Sequence, residues 1–218
     1  MKAVVFDFDG LILDTETVWF ECYKEVLERY RLELTLEQFA PSIGTHNDDF
    51  RNYIERELSE PGIGHAIEQE VAAMIPGRVD LLQARGGVQS YLEEARQLGL
   101  RIALATSSDR KWIDYYLQRL ELRHYFEVIQ TSDDVSAVKP DPELYLRVID
   151  ELGIQAHEAV AFEDSLNGLR AAKGAGLHCT IVPNPVTSFL PFEQYDLRLS
   201  SMEEMSLSDV LARLQPQL

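Results

Sequence analysis

Short apolar runs alternate with amphipathic helical segments over most of the chain. The runs are rich in β-branched and aromatic residues and lie at 3–8, 101–105, 127–130, 159–162 and 178–182. Apolar positions recur at helical spacing between them, in residues 88–98, 111–120, 142–152 and 166–175. Continuous apolar strands separated by helices are typical of a parallel sheet covered on both faces. The pattern therefore predicts an α/β fold with a parallel sheet at its core.

The alternation is interrupted between residues 15 and 80. This segment has no convincing strand, and it carries apolar stripes at helical spacing in residues 19–30, 36–43, 50–58 and 67–75. A helical segment that follows the first strand directly indicates a module inserted into the α/β core. We therefore predict a core domain of residues 1–14 and 81–218 and an all-helical inserted domain of residues 15–80.

The charge balance limits the classes of partner. The chain has 20 Lys and Arg against 37 Asp and Glu, a formal net charge of −17. Nucleic-acid binding through a general basic surface is therefore not expected, although a local positive site could still hold a small anion. Cys22 and Cys179 are too few for a disulfide framework. With no signal-peptide pattern and no long apolar span, we expect a cytoplasmic protein without membrane contact.

Two aspartates lie at the end of the first predicted strand. Asp7 and Asp9 are two residues apart and project to similar directions, and Gly10 allows a sharp turn directly after them. An Asp-x-Asp pair also opens calcium loops, but such loops need further oxygen ligands where this chain has Leu11 and Val18. The calcium-loop interpretation is therefore excluded.

The later strands are followed by hydroxyl groups, a lysine and two more acids. Thr106 and Ser107 follow the second strand, Lys139 lies in a turn after the third, and Glu163 and Asp164 end the fourth. Taken singly, these residues have ordinary explanations as helix caps, turn residues and solvated surface groups. Because the carboxyl ends of parallel strands share one edge, we expect them to converge with the two aspartates of the first strand.

Together these segments resemble the four ordered motifs of the haloacid dehalogenase superfamily of phosphohydrolases. The motifs read Asp7-Phe8-Asp9-Gly10, Thr106-Ser107, Lys139-Pro140 and Glu163-Asp164-Ser165, and the resemblance spans residues 1 to about 183. It implies a Rossmann-like core whose helical insertion is a cap domain. The segment from Gly10 to Trp19 is similar to the branch that contains sugar-phosphate phosphatases and β-phosphoglucomutase.

The resemblance implies hydrolysis of a small phosphomonoester, such as a sugar phosphate, by an aspartyl-phosphate route. Asp7 would attack phosphorus, and Asp9 would act as general acid and then as general base. Thr106, Ser107 and Lys139 would hold the phosphoryl oxygens.

The same resemblance implies Mg²⁺ as cofactor. Its ligands would be Asp7, the backbone carbonyl of Asp9, and Asp164. Glu163 would either bind the metal directly or influence the metal by contacting the residues that bind it. The sequence leaves these two alternatives open.

The inserted domain would contact the part of the substrate that leaves. The candidates for this contact are Thr15, Trp19, His46 and Asn47. His46 is equally compatible with an exposed loop histidine. Neither the identity of the substrate nor the oligomeric state follows from the sequence.

Three other functions compete with the phosphatase. Phosphomutases of this branch carry a histidine and a cap-loop arginine where this chain has Trp19 and Asn47, although Arg51 lies one helical turn further on. This difference favours the phosphatase. A non-catalytic binding protein would be expected to lose catalytic groups, and none of the principal ones is missing. Dehalogenases of the superfamily lack the second motif-one aspartate, so Asp9 argues against that chemistry.

Overall fold

A computed structural model describes residues 1–44 and 48–214. In these residues a six-stranded parallel sheet has the order β3-β2-β1-β4-β5-β6. Its strands are β1 (Ala3–Phe6), β2 (Arg101–Ala105), β3 (Val128–Gln130), β4 (Ala159–Glu163), β5 (His178–Ile181) and β6 (Leu197–Arg198). The five predicted strands and their parallel arrangement are confirmed. The two-residue β6 was not predicted.

Helices cover the sheet and form the insertion. They are α1 (Thr15–Arg29), α2 (Leu36–Phe39), α3 (Asp48–Leu58), α4 (Ile63–Val79), α5 (Val88–Gln97), α6 (Arg110–Arg119), α7 (Glu143–Leu152), α8 (Leu166–Gly174) and α9 (Leu207–Leu214). Across residues 1–44 and 48–214, no helix combines the length and the apolar character needed to span a membrane.

The central strand β1 is buried on both faces. Val4 and Phe6 join an apolar cluster that includes residues of α5, α6 and α9, whereas Ala3 and Val5 join a second cluster with residues of α7 and α8. Such alternation along a strand places successive side chains on opposite faces of the sheet. The prediction of a parallel sheet covered on both sides is therefore confirmed.

The helical insertion lies between β1 and β2. Helix α1 packs along α4, and α3 packs against α4. An aromatic cluster joins these helices: the rings of Tyr23 and Phe50 lie 5.0 Å apart, and those of Phe39 and Phe50 lie 5.5 Å apart. These rings belong to the same apolar cluster as Val4 and Phe6 of β1, so the apolar interior of the insertion is continuous with that of the core. The division of the chain into two domains stays a prediction.

Arg85 connects the return from the insertion to the sheet edge. Its backbone N–H donates to the carbonyl of Ile12 at 2.8 Å. Its guanidinium donates to the carbonyl oxygens of Gly10, Val182 and Pro183 at 2.6, 3.1 and 2.6 Å. Arg85 therefore joins both connections of the insertion to the loop that follows β5.

Candidate active site

Asp7 and Lys139 form a buried ion pair at the carboxyl edge of the sheet. Lys139 is only 1% exposed, and its Nζ lies 2.6 Å from Asp7 Oδ1 and 2.7 Å from Glu163 Oε1. Burial alone lowers the pKa of Lys139, but the charges of Asp7 and Glu163 outweigh it and raise that pKa above its ordinary value. Tyr145 also donates its hydroxyl to Glu163. Lys139 is thus held charged beside the predicted nucleophile.

Asp9 lies beside this pair and is held by three side-chain donors. Thr15 Oγ1 and Trp112 Nε1 donate to its Oδ1 at 2.9 and 3.1 Å, and Ser108 Oγ donates to its Oδ2 at 2.6 Å. Desolvation by burial is the main cause that raises the pKa of Asp9 to about 6, and the charge of Asp7 adds to it. A carboxyl that titrates near neutral pH is suited to give and take a proton.

Asp164 is oriented by a residue that the sequence motifs do not include. Asn184 Nδ2 donates to Asp164 Oδ2 at 2.7 Å, while its Oδ1 accepts hydrogen bonds from the backbone of Val186 and Thr187. Gly10 makes room for this contact, because its φ is +80° and a Cβ there would lie 2.2 Å from Asp164 Oδ2. Asn184 follows β5 at the same sheet edge, so the strand-end rule extended to that strand would have found it.

Replacing Asn184 with Ala is expected to lower the free energy of unfolding by about 1–3 kcal/mol, because the variant leaves buried partners without hydrogen bonds. The quantity is measured by urea denaturation followed by circular dichroism. Asn52→Ala, on the exposed surface of α3, is the matched control and should change it by less than about 0.5 kcal/mol. Equal losses of unfolding free energy in both variants would show that the hydrogen bonds of Asn184 contribute no more to stability than an exposed asparagine does.

Three buried acids could hold a metal ion. Asp7, Glu163 and Asp164 each offer a carboxylate oxygen, and these oxygens lie within 4.8 Å of one another. Asp164 Oδ1 is buried and has no hydrogen-bond partner among residues 1–44 and 48–214. Burial, followed by the charge of Asp7, raises the pKa of Asp164 well above its ordinary value. Carboxylate oxygens are what Mg²⁺ prefers, so this group fits that cation.

A cavity of about 380 Å³ opens above Asp7 and Asp9, between the sheet edge and the insertion. Thr106 and Ser107 line it from the core side, and Trp19 lines it from α1. Five of the predicted site residues therefore line one cavity: Asp7, Asp9, Trp19, Thr106 and Ser107.

Thr15, one of the predicted contacts with the leaving part of the substrate, is not among the residues that line this cavity. Thr15 is completely buried, and its hydroxyl is used by Asp9. His46 and Asn47 lie outside the described residues.

The insertion touches the core at the rim of this cavity. Ser107 Oγ donates to the carbonyl of Gly44 at 3.1 Å, and Asn167 Nδ2 donates to the carbonyl of Ile43 at 2.8 Å. Gly44 has a φ of +75°, and a Cβ there would lie 2.7 Å from Ser165 Oγ. The segment therefore rests directly on the core, and Ser107 contributes to this contact.

Glu16 is a cavity residue that the sequence analysis missed. It lies in the first turn of α1, is buried, and lines the cavity beside Asp7 and Asp9. Burial and then the charges of these two aspartates raise its pKa to about 8, and a hydrogen bond from the backbone of Gly44 opposes the rise. Acidic residues are common in the first turn of a helix, so the position of Glu16 in the sequence does not mark it as a site residue.

Comparison with known proteins identifies relatives that cover nearly the whole chain. Residues 4–182 match the family described as "Haloacid dehalogenase-like hydrolase". The chain is 47% identical over 219 residues to a Bacillus subtilis (strain 168) protein named "Putative phosphatase YhcW", and the match covers 100% of this chain and 99% of that protein. It is 34% identical to the "Phosphorylated carbohydrates phosphatase" of Thermotoga maritima, which covers 81% of this chain and 82% of that protein.

Solved structures are also similar to this chain over nearly its whole length. A variant of CbbY from Rhodobacter sphaeroides in complex with xylulose-(1,5)bisphosphate is 28% identical, with a TM-score of 0.76 and coverage of 95% of this chain and 98% of that one. A structure described as a putative beta-phosphoglucomutase from Thermotoga maritima is 30% identical, with a TM-score of 0.73 and coverage of 99% and 100%. The fold thus has counterparts among solved proteins.

Proposed function

The chain belongs to the haloacid dehalogenase-like hydrolase family and hydrolyses phosphomonoesters, and we propose that it acts on a small phosphorylated carbohydrate through an aspartyl-phosphate. The observation that carries the proposal is the position of Asp7 and Asp9 together at one cavity, with the buried Lys139 paired to Asp7. Nucleophile, proton donor and positive charge are the groups that phosphoryl transfer requires.

In the first half-reaction, an oxygen of Asp7 attacks phosphorus and the bond to the leaving alkoxide breaks. Asp9 donates its proton to that departing oxygen. Lys139, which is held charged between Asp7 and Glu163, opposes the negative charge that gathers at the phosphoryl group. Thr106 and Ser107 follow β2 at the rim, and their hydroxyl groups would donate to the phosphoryl oxygens. For Ser107 this hydrogen bond would replace the one to the Gly44 carbonyl.

In the second half-reaction, water attacks the phosphorus of the aspartyl-phosphate. Asp9, now a carboxylate, takes a proton from that water. Asp7 and inorganic phosphate are then released. The raised pKa of Asp9, about 6, supports both transfers near neutral pH.

We further propose that Asp7 and Asp164 hold Mg²⁺ through their carboxylates, with the backbone carbonyl of Asp9 as a third ligand. The orphaned, buried Oδ1 of Asp164 supports this assignment. When bound, the ion would neutralise charge between Asp7 and the phosphoryl group. Lys139 and Tyr145 both engage Oε1 of Glu163. Its Oε2 is also buried without a hydrogen-bond partner among residues 1–44 and 48–214, but it lies against Gly168, so we assign Glu163 a role beside the ligands.

The composition of the cavity supports a carbohydrate as the leaving part of the substrate. Glu16 and Ser108 place polar groups on the walls, and Trp19 and Trp112 place flat apolar surfaces there. The hydroxyl groups of a sugar phosphate can form hydrogen bonds with the polar groups, and the C–H faces of its ring can pack on the two tryptophans. Two relatives point to the same class of compound: one is named a phosphatase of phosphorylated carbohydrates, and a variant of the other is in complex with xylulose-(1,5)bisphosphate.

We propose that residues 15–80 form a cap domain that closes over the core of residues 1–14 and 81–218. Two hydrogen bonds support this proposal, because they join the insertion to the rim of the cavity: Asn167 donates to Ile43, and Ser107 donates to Gly44. Closure would exclude bulk water during the first half-reaction. Trp19 would then contact the sugar.

The direct test is a substrate screen. Purified protein with Mg²⁺ is incubated with sugar phosphates, nucleotides and other phosphomonoesters, and released phosphate is measured. We expect the highest kcat/KM for a sugar phosphate. A clear preference for nucleotides would contradict the proposed substrate class, and no release from any phosphomonoester would contradict the function itself.

A phosphomutase is the second candidate, because one similar structure is described as a putative beta-phosphoglucomutase. A mutase must hold the second phosphate of a sugar bisphosphate, and an arginine is suited to this task. Arg51 is the nearby candidate, but its guanidinium pairs with Glu68 at 2.7 Å and with Asp48. This pairing within the insertion favours transfer of the phosphoryl group to water.

We therefore expect net hydrolysis rather than isomerisation. The protein is incubated with β-glucose 1-phosphate, with and without a glucose bisphosphate, while glucose 6-phosphate and free phosphate are both followed. Phosphate should be released over many turnovers without the bisphosphate, and glucose 6-phosphate should not accumulate. Fast isomerisation with negligible phosphate release would establish the mutase instead.

A further inference from the structure

Trp112 donates a hydrogen bond to Asp9, the carboxyl that the proposed mechanism uses for proton transfer. The distance from Trp112 Nε1 to Asp9 Oδ1 is 3.1 Å. Neither the four sequence motifs nor the spacing of apolar residues selects Trp112. Its position in the first turn of α6 also makes it part of the cavity wall.

The indole of Trp112 is fixed independently of Asp9. The backbone N–H of Trp112 donates to the capping side chain of Asp109 at 2.7 Å, which sets the start of α6. Its ring packs on Tyr116 with centroids 4.4 Å apart. The Nε1–H group is therefore aimed at Asp9 before substrate arrives, which is the condition for orienting a catalytic group.

The three donors divide unequally between the two oxygens of Asp9. Oδ1 accepts from both Thr15 and Trp112, whereas Oδ2 accepts from Ser108 alone. A carboxylate oxygen has two lone pairs that lie near its plane. Both lone pairs of Oδ1 are thus occupied, and one lone pair of Oδ2 is left to carry a proton.

We propose that Trp112 is a positioning residue that, together with Thr15, saturates Asp9 Oδ1 and so makes Oδ2 the oxygen that transfers the proton. In the first half-reaction the Oδ2–H bond breaks and an O–H bond forms on the leaving alkoxide as its bond to phosphorus breaks. In the second, Oδ2 takes a proton from the attacking water. The inference rests on the proposed function, since it assigns a partner to its general acid.

Leaving groups of different acidity test this assignment. Phenyl phosphate needs a proton on its leaving oxygen more than p-nitrophenyl phosphate does, because nitrophenolate is the more stable anion. Trp112→Phe keeps an aromatic ring and removes the Nε1–H donor together with the five-membered ring of the indole, a loss of volume that the control Trp19→Phe reproduces. We expect it to lower kcat/KM for phenyl phosphate by about tenfold and that for p-nitrophenyl phosphate by about twofold or less.

Two controls separate positioning from a structural effect. Trp19→Phe removes the other tryptophan of the cavity, the only other one in the chain, and should change both substrates by the same factor. In the background of Asp9→Asn, Trp112→Phe should cause no further change in the ratio of the two kcat/KM values, because the two residues act as one unit.

The outcomes distinguish failure of the role proposed for Trp112 from failure of the proposed function. If Asp9→Asn changes the ratio for the two substrates and Trp112→Phe does not, Trp112 is not a positioning residue and the proposed function stands. If Trp112→Phe lowers both values equally, or lowers them again in the Asp9→Asn background, its role is structural. If wild-type protein releases phosphate from neither compound nor from any sugar phosphate, the proposed function fails.

Discussion

Replacing Asp7 with Asn is expected to lower kcat for phosphate release by at least about 10³-fold, because the amide keeps the shape of the carboxylate and loses the nucleophile. The variant should still fold. Lys139 retains its ion pair with Glu163 at 2.7 Å, so no buried charge is left without a partner. The rate is measured with Mg²⁺ and the best substrate of the screen, and folding is measured by thermal denaturation.

The matched control is Asp150→Asn, an isosteric change at an exposed position of α7. It should leave both the rate and the melting temperature near the wild-type values. Acid quenching during turnover should trap phosphate on the wild-type chain and none on the Asp7 variant. Substantial steady-state hydrolysis by the Asp7 variant would contradict the aspartyl-phosphate route.

The fold was predictable because its strands carry strong local signals. The strands β1, β2, β4 and β5 are buried runs, and each lies where the apolar pattern placed it. The exception is β6, which has only two residues, neither of them buried. A segment this short has no periodicity to detect, and its pairing with β5 depends on the sheet already being formed.

The ends of the four helices predicted between the strands, α5 to α8, agree with the observed ends to within one residue. Helix α7 begins at Glu143 rather than at the predicted Pro142, and Asp141 accepts a hydrogen bond from the Glu143 N–H at 2.9 Å. Helix α9 was not predicted at all. Its buried residues Leu207, Val210, Leu211 and Leu214 recur at helical spacing, so the apolar pattern alone could have identified this helix.

The site residues divide according to the signal that could identify them. Asp7, Lys139 and Asp164 follow strands or turns whose order along the chain puts them at one edge, so topology alone brings them together. Arg85 and Trp112 act through contacts whose partners lie on other elements. Linear spacing carries no information about such contacts, and only the packed structure reveals them.

Removing divalent cations is expected to abolish phosphate release, and added Mg²⁺ should restore it. The physical reason is the charge of the site: Asp7, Glu163 and Asp164 lie within 4.8 Å of one another, and a dianionic phosphoryl group would join them. Among these groups Lys139 supplies the nearby positive charge. The activity is measured in excess chelator and then as a function of added Mg²⁺.

Asp164→Asn tests the same assignment without relying on turnover. A cation that binds only the folded chain stabilises it by about 2.7 kcal/mol when present at about 100 times its Kd. We therefore expect Mg²⁺ to raise the melting temperature of wild-type protein by several degrees and to have little effect on the Asp164 variant. The amide can still accept the hydrogen bond from Asn184, so loss of the shift would not reflect a loss of that contact.

The Asp150→Asn variant again serves as control and should show the full Mg²⁺ shift, since its carboxyl lies on the exposed surface of α7. A difference between the two variants assigns the cation to the buried cluster rather than to the general negative charge of the chain, which is −17. The metal assignment is wrong if chelator leaves the rate unchanged, or if Mg²⁺ raises the melting temperatures of wild-type protein and Asp164→Asn equally. In that case Lys139 and the hydroxyl groups of Thr106 and Ser107 must balance the phosphoryl charge by themselves.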